Sequence, residues 1–165
     1  MPRYEIVARS HLDAPPDAVW DRISTMAGVN DELAPLLRMT HPPGLDRLDP
    51  GVAELGKPAF RSWLLLLGVL PVDYDDLTIV RLEPGRGFLE RSPLASQRHW
   101  EHERRIEPEE QGCTIVDRIA HEPRLPVAER LQSALVRQLF LHRHRRLRRY
   151  FGAAGASRSS ATRAC

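Results

Sequence analysis

Arg98-His99-Trp100-Glu101-His102-Glu103-Arg104-Arg105-Ile106-Glu107 and Gly112-Cys113-Thr114-Ile115-Val116-Asp117-Arg118-Ile119-Ala120-His121-Glu122 are two strand-like runs joined by the polar turn Pro108-Glu109-Glu110-Gln111. Such a pair predicts a β-hairpin. Setting Glu107 opposite Gly112 places Glu101 across from Arg118, His102 from Asp117, Arg104 from Ile115 and Trp100 from Ile119. Side chains alternate along a strand, so this register gathers Trp100, His102, Arg104, Asp117 and Ile119 on one face. A slip by one residue would mix the two faces. A face that combines apolar and ionisable groups is expected to line a cavity rather than a plain core.

Upstream of the hairpin, Tyr4–Leu12 alternates as a first strand. Asp13-Ala14-Pro15-Pro16 then opens a helix carrying Val19, Trp20 and Ile23 on one stripe, with Asp13 as the expected cap. Asn30–Ala34 suggests a second short helix, Leu36–Thr40 a strand, and Pro42–Gly56 a loop. Strands are expected at Ala59–Leu67, Asp75–Glu83 and Phe88–Ser92, with Asp73, Asp75 and Asp76 read as a solvated acidic turn. Downstream, Pro123 and Pro126 end strand structure, and Val127–Phe151 reads as one long helix. Leu131, Leu135, Leu139 and His142 form one stripe on it; Phe140, Arg143, Leu147 and Phe151 form a neighbouring one. The order is therefore strand, two short helices, about six strands and a long helix. An antiparallel sheet that curls needs its concave face covered, and the last helix has the apolar side to do it. Residues 1–151 make one α+β domain, and the small, polar tail 152–165 is expected to be disordered.

Composition narrows the function classes. The 165 residues suffice for one domain with a substantial core, and 42% hydrophobic with 28% charged residues is the balance of a globular protein. A net charge of +2 gives no reason to expect DNA as a partner. The two cysteines, Cys113 and Cys165, make neither a disulfide framework nor a metal site, which predicts a reducing cytoplasm and no cofactor or metal. No long apolar run follows Met1, and Trp63–Val72, broken by Gly68 and Pro71, is too short to span a bilayer.

The strand followed by Asp13-Ala14-Pro15-Pro16-Asp17-Ala18-Val19-Trp20 resembles the opening of the helix-grip, or Bet v 1-like (START/polyketide-cyclase, SRPBCC), superfamily, and the element order agrees from Arg3 to Phe151. Trp100-Glu101-His102-Glu103-Arg104 and Phe140-Leu141-His142-Arg143-His144 resemble a bacterial ligand-binding subgroup. The resemblance implies a curved antiparallel sheet of about seven strands wrapped on the C-terminal helix, in the order β-α-α-β6-α. It also implies an internal cavity for an apolar or amphipathic molecule such as a lipid, quinone or polyketide. Fold alone does not assign chemistry.

Within that frame His102 beside Asp117 is the candidate catalytic pair, since a carboxylate fixes an imidazole's tautomer and supports proton transfer in a cyclisation or dehydration. The same pair could simply satisfy its own buried hydrogen bonds. Candidate ligand-lining residues are Trp63, Trp100, Arg104, Ile119, Leu135, Leu139 and His142. Arg91 is a further candidate, on the condition that it, and not Glu90, points inward; an inward charge then needs a partner. His142 and His144 lie two apart on the helix, the wrong spacing for a metal pair. Arg143, Arg145, Arg146, Arg148 and Arg149 make the helix end basic, which suits its dipole; contact with RNA or an acidic protein is the functional alternative.

Overall fold

The computed structural model describes residues 4–51 and 54–161. Its strands are β1 (Tyr4–Leu12), β2 (Leu37–Met39), β3 (Phe60–Leu66), β4 (Leu70–Leu77), β5 (Ile79–Glu83), β6 (Gly87–Glu90), β7 (Gln97–Pro108) and β8 (Cys113–Pro123). Its α-helices are α1 (Pro16–Ile23), α2 (Met26–Leu33) and α3 (Glu129–Ala161), the last preceded by one 3-10 turn at Pro126–Ala128.

Five strands pair antiparallel in the order β1-β8-β7-β6-β5, and three more in the order β2-β3-β4. Only Thr78 separates β4 from β5. Its N–H donates to the Ser92 hydroxyl (3.1 Å), so one bent strand changes sheets there. The single strand expected at Asp75–Glu83 is thus cut at Thr78, and its first part extends back to Leu70. α3 packs on β1, β8 and α2. The architecture is the α+β helix-grip arrangement.

The hairpin forms two residues out of the expected register. Glu107 pairs with Thr114, His102 with Ile119, Arg104 with Asp117 and Trp100 with His121, while Arg118 faces Glu103. The ladder on β7 runs on through Pro108, and Gly112 belongs to the turn. Gly112 adopts φ 80° against the first strand, where a Cβ would lie 2.1 Å from the Leu12 carbonyl oxygen. A shift of two preserves side-chain parity, so the expected face survives although its cross-strand pairs do not. Gly87 plays a similar part at the start of β6: with φ 145°, a Cβ would meet the Arg104 carbonyl oxygen at 2.0 Å.

At the first helix Pro15, not Asp13, holds the capping position, with Pro16 as the first helical residue. Val19, Trp20 and Ile23 are buried as their spacing predicts. α2 begins earlier than expected because Thr25 accepts from the Gly28 N–H (3.0 Å) and caps it. The Asn30 side chain then bonds both backbone groups of Met39 (3.0 and 2.7 Å), which ties β2 to α2.

On α3 the second stripe is the packing face. Phe140, Arg143, His144, Leu147 and Phe151 are buried, whereas Leu131 and Leu135 are 64% and 60% exposed. The first stripe is apolar enough to pack, but the helix is set by the Phe140 and Leu147 side that meets α2, β1 and β8. The acidic turn is also revised: Asp75 is buried on β4, Asp76 forks with Arg61, and Asp73 accepts from Ser96. The helical backbone continues past Gly152 to Ala161 through the first part of the expected tail; residues 162–165 lie outside those described.

Candidate functional site

Alternation on β7 turns Trp100, His102 and Arg104 to the helix side, and β8 adds Asp117, Ile119 and His121. β1 supplies Ser10 and β6 supplies Glu90. α2 brings Glu32, and α3 brings Phe140, Arg143 and His144. Arg104 and Asp117 are 0% exposed, and Glu32 and His144 1%.

Arg104 is the centre. Its Nε and Nη2 donate to the two oxygens of Asp117 at 2.7 Å each, and its Nη1 reaches both oxygens of Glu32 at 2.9 Å. Glu32 also accepts from Arg143 Nε (3.0 Å). Planar two-pronged pairing of this kind is among the stronger polar contacts a protein makes. Asp117 accepts further from His102 Nε2 (3.0 Å) and His144 Nε2 (3.0 Å). Burial alone would raise the Asp117 carboxyl, but the charge and hydrogen bonds of Arg104, followed by those of His102, hold it well below the usual range. The same carboxylates raise the Arg104 guanidinium against its own burial.

In a neutral His144 ring the nitrogen facing Asp117 carries the proton, because a carboxylate only accepts. His144 Nδ1 then accepts from the Ser10 hydroxyl (2.9 Å), which itself accepts from Arg148 Nη1 (2.6 Å). A hydrogen-bonded line thus runs from the exposed Arg148 to the buried Asp117.

On the other side His102 Nδ1 stands 3.6 Å from Glu90. The Phe140 and Phe88 rings meet the imidazole edge-on at 5.0 and 5.3 Å. Glu90 accepts from Trp100 Nε1 (3.0 Å) and the Ser92 hydroxyl (2.8 Å). Burial pushes the Glu90 carboxyl up, yet bonding and charge from His102, with Ser92 and Trp100, leave it below its ordinary value. Its neighbour Asp75 moves the opposite way, raised well above the carboxylate range by burial and then by the charge on Glu90. Asp75 Oδ1 has no hydrogen-bond partner among the described residues.

The expected face is present, and Arg104, Asp117 and Ile119 on it are fully buried. Two recesses open elsewhere. One is lined by Met26, Leu48, Phe60 and Ile79, the other by Ala14, Arg22, Gly28 and Tyr150; neither includes a member of the charged cluster.

The other candidates scatter. Trp100 joins the cluster, half-buried beside Phe140 (6.3 Å between rings). Trp63 lies on the three-stranded sheet, 45% exposed, edge-on to Tyr74. Arg91 points outward to Glu101, and Glu90 is the inward member of that pair. Leu135 faces solvent, Leu139 is half-buried, and His142 bonds the Ala34 carbonyl (2.8 Å). Sequence reasoning missed Glu32, Ser10, Asp75 and His144. Only His144 left a usable signal, through its spacing of four from Phe140 and three from Leu147. No group of three or more metal-ligating side chains occurs among the described residues, and no helix there is long and apolar enough to cross a membrane.

A family model described as a domain of unknown function, DUF8410, matches residues 10–151. No curated protein matches the sequence. Among solved structures, the Zhui aromatase/cyclase from Streptomyces sp. R1128 superposes with TM-score 0.65 at 15% identity, over 98% of this chain and 99% of that one. A START superfamily protein from Mycobacterium smegmatis gives TM-score 0.64 at 11% identity, over 91% and 98%. DynU16, a protein of the dynemicin biosynthetic locus, gives TM-score 0.60 at 15% identity; 93% of this chain aligns and spans about half (49%) of DynU16. These likenesses establish the START/Bet v 1-like fold.

Proposed function

The chain belongs to the DUF8410 family on a START-like fold, and we propose that it binds an apolar or amphipathic small molecule rather than transforming one. The observation that carries this reading is the setting of His102. Both its ring nitrogens face protein carboxylates, Asp117 at 3.0 Å and Glu90 at 3.6 Å, and the residue is 3% exposed. A general base must reach the proton it removes, and neither nitrogen is turned to open space. Asp117 already accepts four hydrogen bonds, two from Arg104 and one from each histidine. A cyclase or dehydratase running on this pair would first have to take the cluster apart.

Binding is supported by what α3 leaves uncovered. It packs mainly on β1, β8 and α2, while Leu131 and Leu135 of its first half remain exposed. An uncovered apolar stripe on the helix suits contact with an apolar molecule. The RNA-binding or protein-binding alternative is less well served. Among the described residues Arg143 is spent on Glu32, Arg146 on Asp31 and Arg148 on Ser10, which leaves Arg145 and Arg149 of the five arginines.

Titration with an environment-sensitive apolar fluorophore, followed by native mass spectrometry of the purified chain, tests the reading. Saturable one-to-one binding is expected to survive His102→Gln and to weaken about tenfold or more in Leu135→Asp. Absence of saturable binding, or turnover of an aromatic polyketide that His102→Gln abolishes, would overturn it.

A further inference from the structure

The hairpin between β3 and β4 is built in three tiers. At its tip Leu66, Leu67, Val69 and Leu70 are 40%, 66%, 79% and 57% exposed, and the neighbouring Leu36, whose carbonyl accepts the Leu67 N–H (2.9 Å), is 40% exposed. From Trp63 to Val72 the chain carries no charged side chain. Behind the tip stands an aromatic pair, Trp63 paired with Tyr74. Next to that pair is a charged rung, Arg61 forked onto Asp76 with its guanidinium 4.1 Å over the Tyr74 ring. Arg38, exposed on β2 opposite Leu65, has no ion-pair partner among the described residues.

We propose that this tip docks the protein on a lipid bilayer surface. Three features favour a bilayer over a protein partner. Register places Leu66 and Leu70 on one face of the hairpin and Trp63 on the other, with Leu67 and Val69 at the turn. A flat partner covers one face, whereas a fluid apolar medium covers all of them. The tiers also follow the layers of a membrane surface: apolar groups outermost, then aromatic side chains with a polar edge at headgroup level, then charges in water. The depth agrees as well. Three steps along β3 lead from the Trp63/Tyr74 rung to the Leu66/Leu70 rung, about 10 Å at about 3.3 Å per residue, close to the depth at which interfacial apolar groups settle. Arg38 at the flank suits an anionic headgroup.

Leu67 adds a local conflict. It holds φ 51°, a left-handed conformation that asparagine accepts more readily than leucine. A large apolar side chain is exposed there at a position where backbone chemistry prefers a small polar one. The docking role does not depend on what the protein binds inside.

Co-sedimentation of the whole chain with vesicles of phosphatidylcholine, alone or with about 30% phosphatidylglycerol, provides the test. Binding to either composition is expected, stronger to the anionic one, with a blue shift of tryptophan emission that Trp63→Phe removes. Leu67→Asn with Val69→Asp is expected to lower vesicle binding at least about tenfold without lowering the melting temperature, because both side chains are exposed. Three results would overturn the proposal: no binding to either vesicle, equal binding by the double variant, or a dimer that the double variant dissolves while vesicles stay unbound. The last would assign the tip to a second copy of the chain.

Discussion

Replacing Arg104 by leucine tests the charged cluster most directly. The variant keeps much of the volume and deletes four charge-assisted hydrogen bonds, two to Asp117 and two to Glu32. Asp117 retains only its histidines, and Glu32 only Arg143. Removing one partner from a buried ion pair costs about 3–5 kcal/mol, because the cost is that of the stranded charge. For a domain of this size that corresponds to a melting temperature lower by roughly 6–20 °C. Urea unfolding followed by tryptophan emission reads the loss as a shift in midpoint with little change in slope. The pH dependence sharpens the test. In the native protein the Asp117 carboxyl is depressed, so its contribution is present above the unfolded value, about 3.9, and is lost as pH falls through the folded one. Without Arg104 burial dominates and Asp117 favours its protonated form, so acid relieves the variant. The stability gap is therefore expected to be widest near neutral pH and to narrow as acid is added. A loss under about 1 kcal/mol, or a gap that ignores pH, would refute the account of Arg104 as the counter-charge of two buried carboxylates.

Asp75→Asn has the opposite sign. A carboxyl whose folded value is raised costs stability as pH climbs from the unfolded value, so the amide is expected to stabilise the protein at pH 7 and to be neutral at strongly acid pH. Melting curves across pH decide it; destabilisation equal at both ends would sink the idea. Leu147→Ala and Leu135→Ala separate the two helix stripes. The first, 1% exposed, should cost about 2–5 kcal/mol and the second, 60% exposed, less than about 0.5. Equal costs in chemical denaturation would show that α3 packs through its other side.

The fold was legible because its signals were local. Proline-rich entry to α1, alternation in β1, β7 and β8, and the length of α3 each mark an element within one stretch of chain. The face carrying Trp100, His102, Arg104 and Asp117 was legible for the same reason, since parity tolerates a register error of two. The cross-strand pairs were not, because they turn on whether Pro108 and Gly112 belong to ladder or turn, and Gly112 is fixed by a backbone 100 residues away, at Leu12. Glu32 reads locally as one more acidic residue on a short helix; only the docking of α2 against α3 shows it as the partner of both Arg104 and Arg143. Asp75 looked solvated for a similar reason: its neighbours Asp73 and Asp76 are partly exposed, and its own burial comes from the way β4 packs.

The charged cluster also bears on how the chain folds. Arg104 finds Asp117 13 residues away when β7 meets β8, but Glu32 lies 72 residues upstream and Arg143 joins it across 111. A chain with only the hairpin formed carries a guanidinium half matched, and one with α3 docked before α2 buries Arg143 without its carboxylate. Each partly assembled state bears an unbalanced charge that only the complete one neutralises. The core therefore penalises intermediates as well as stabilising the end point, and sharpens the transition between unfolded and native chains.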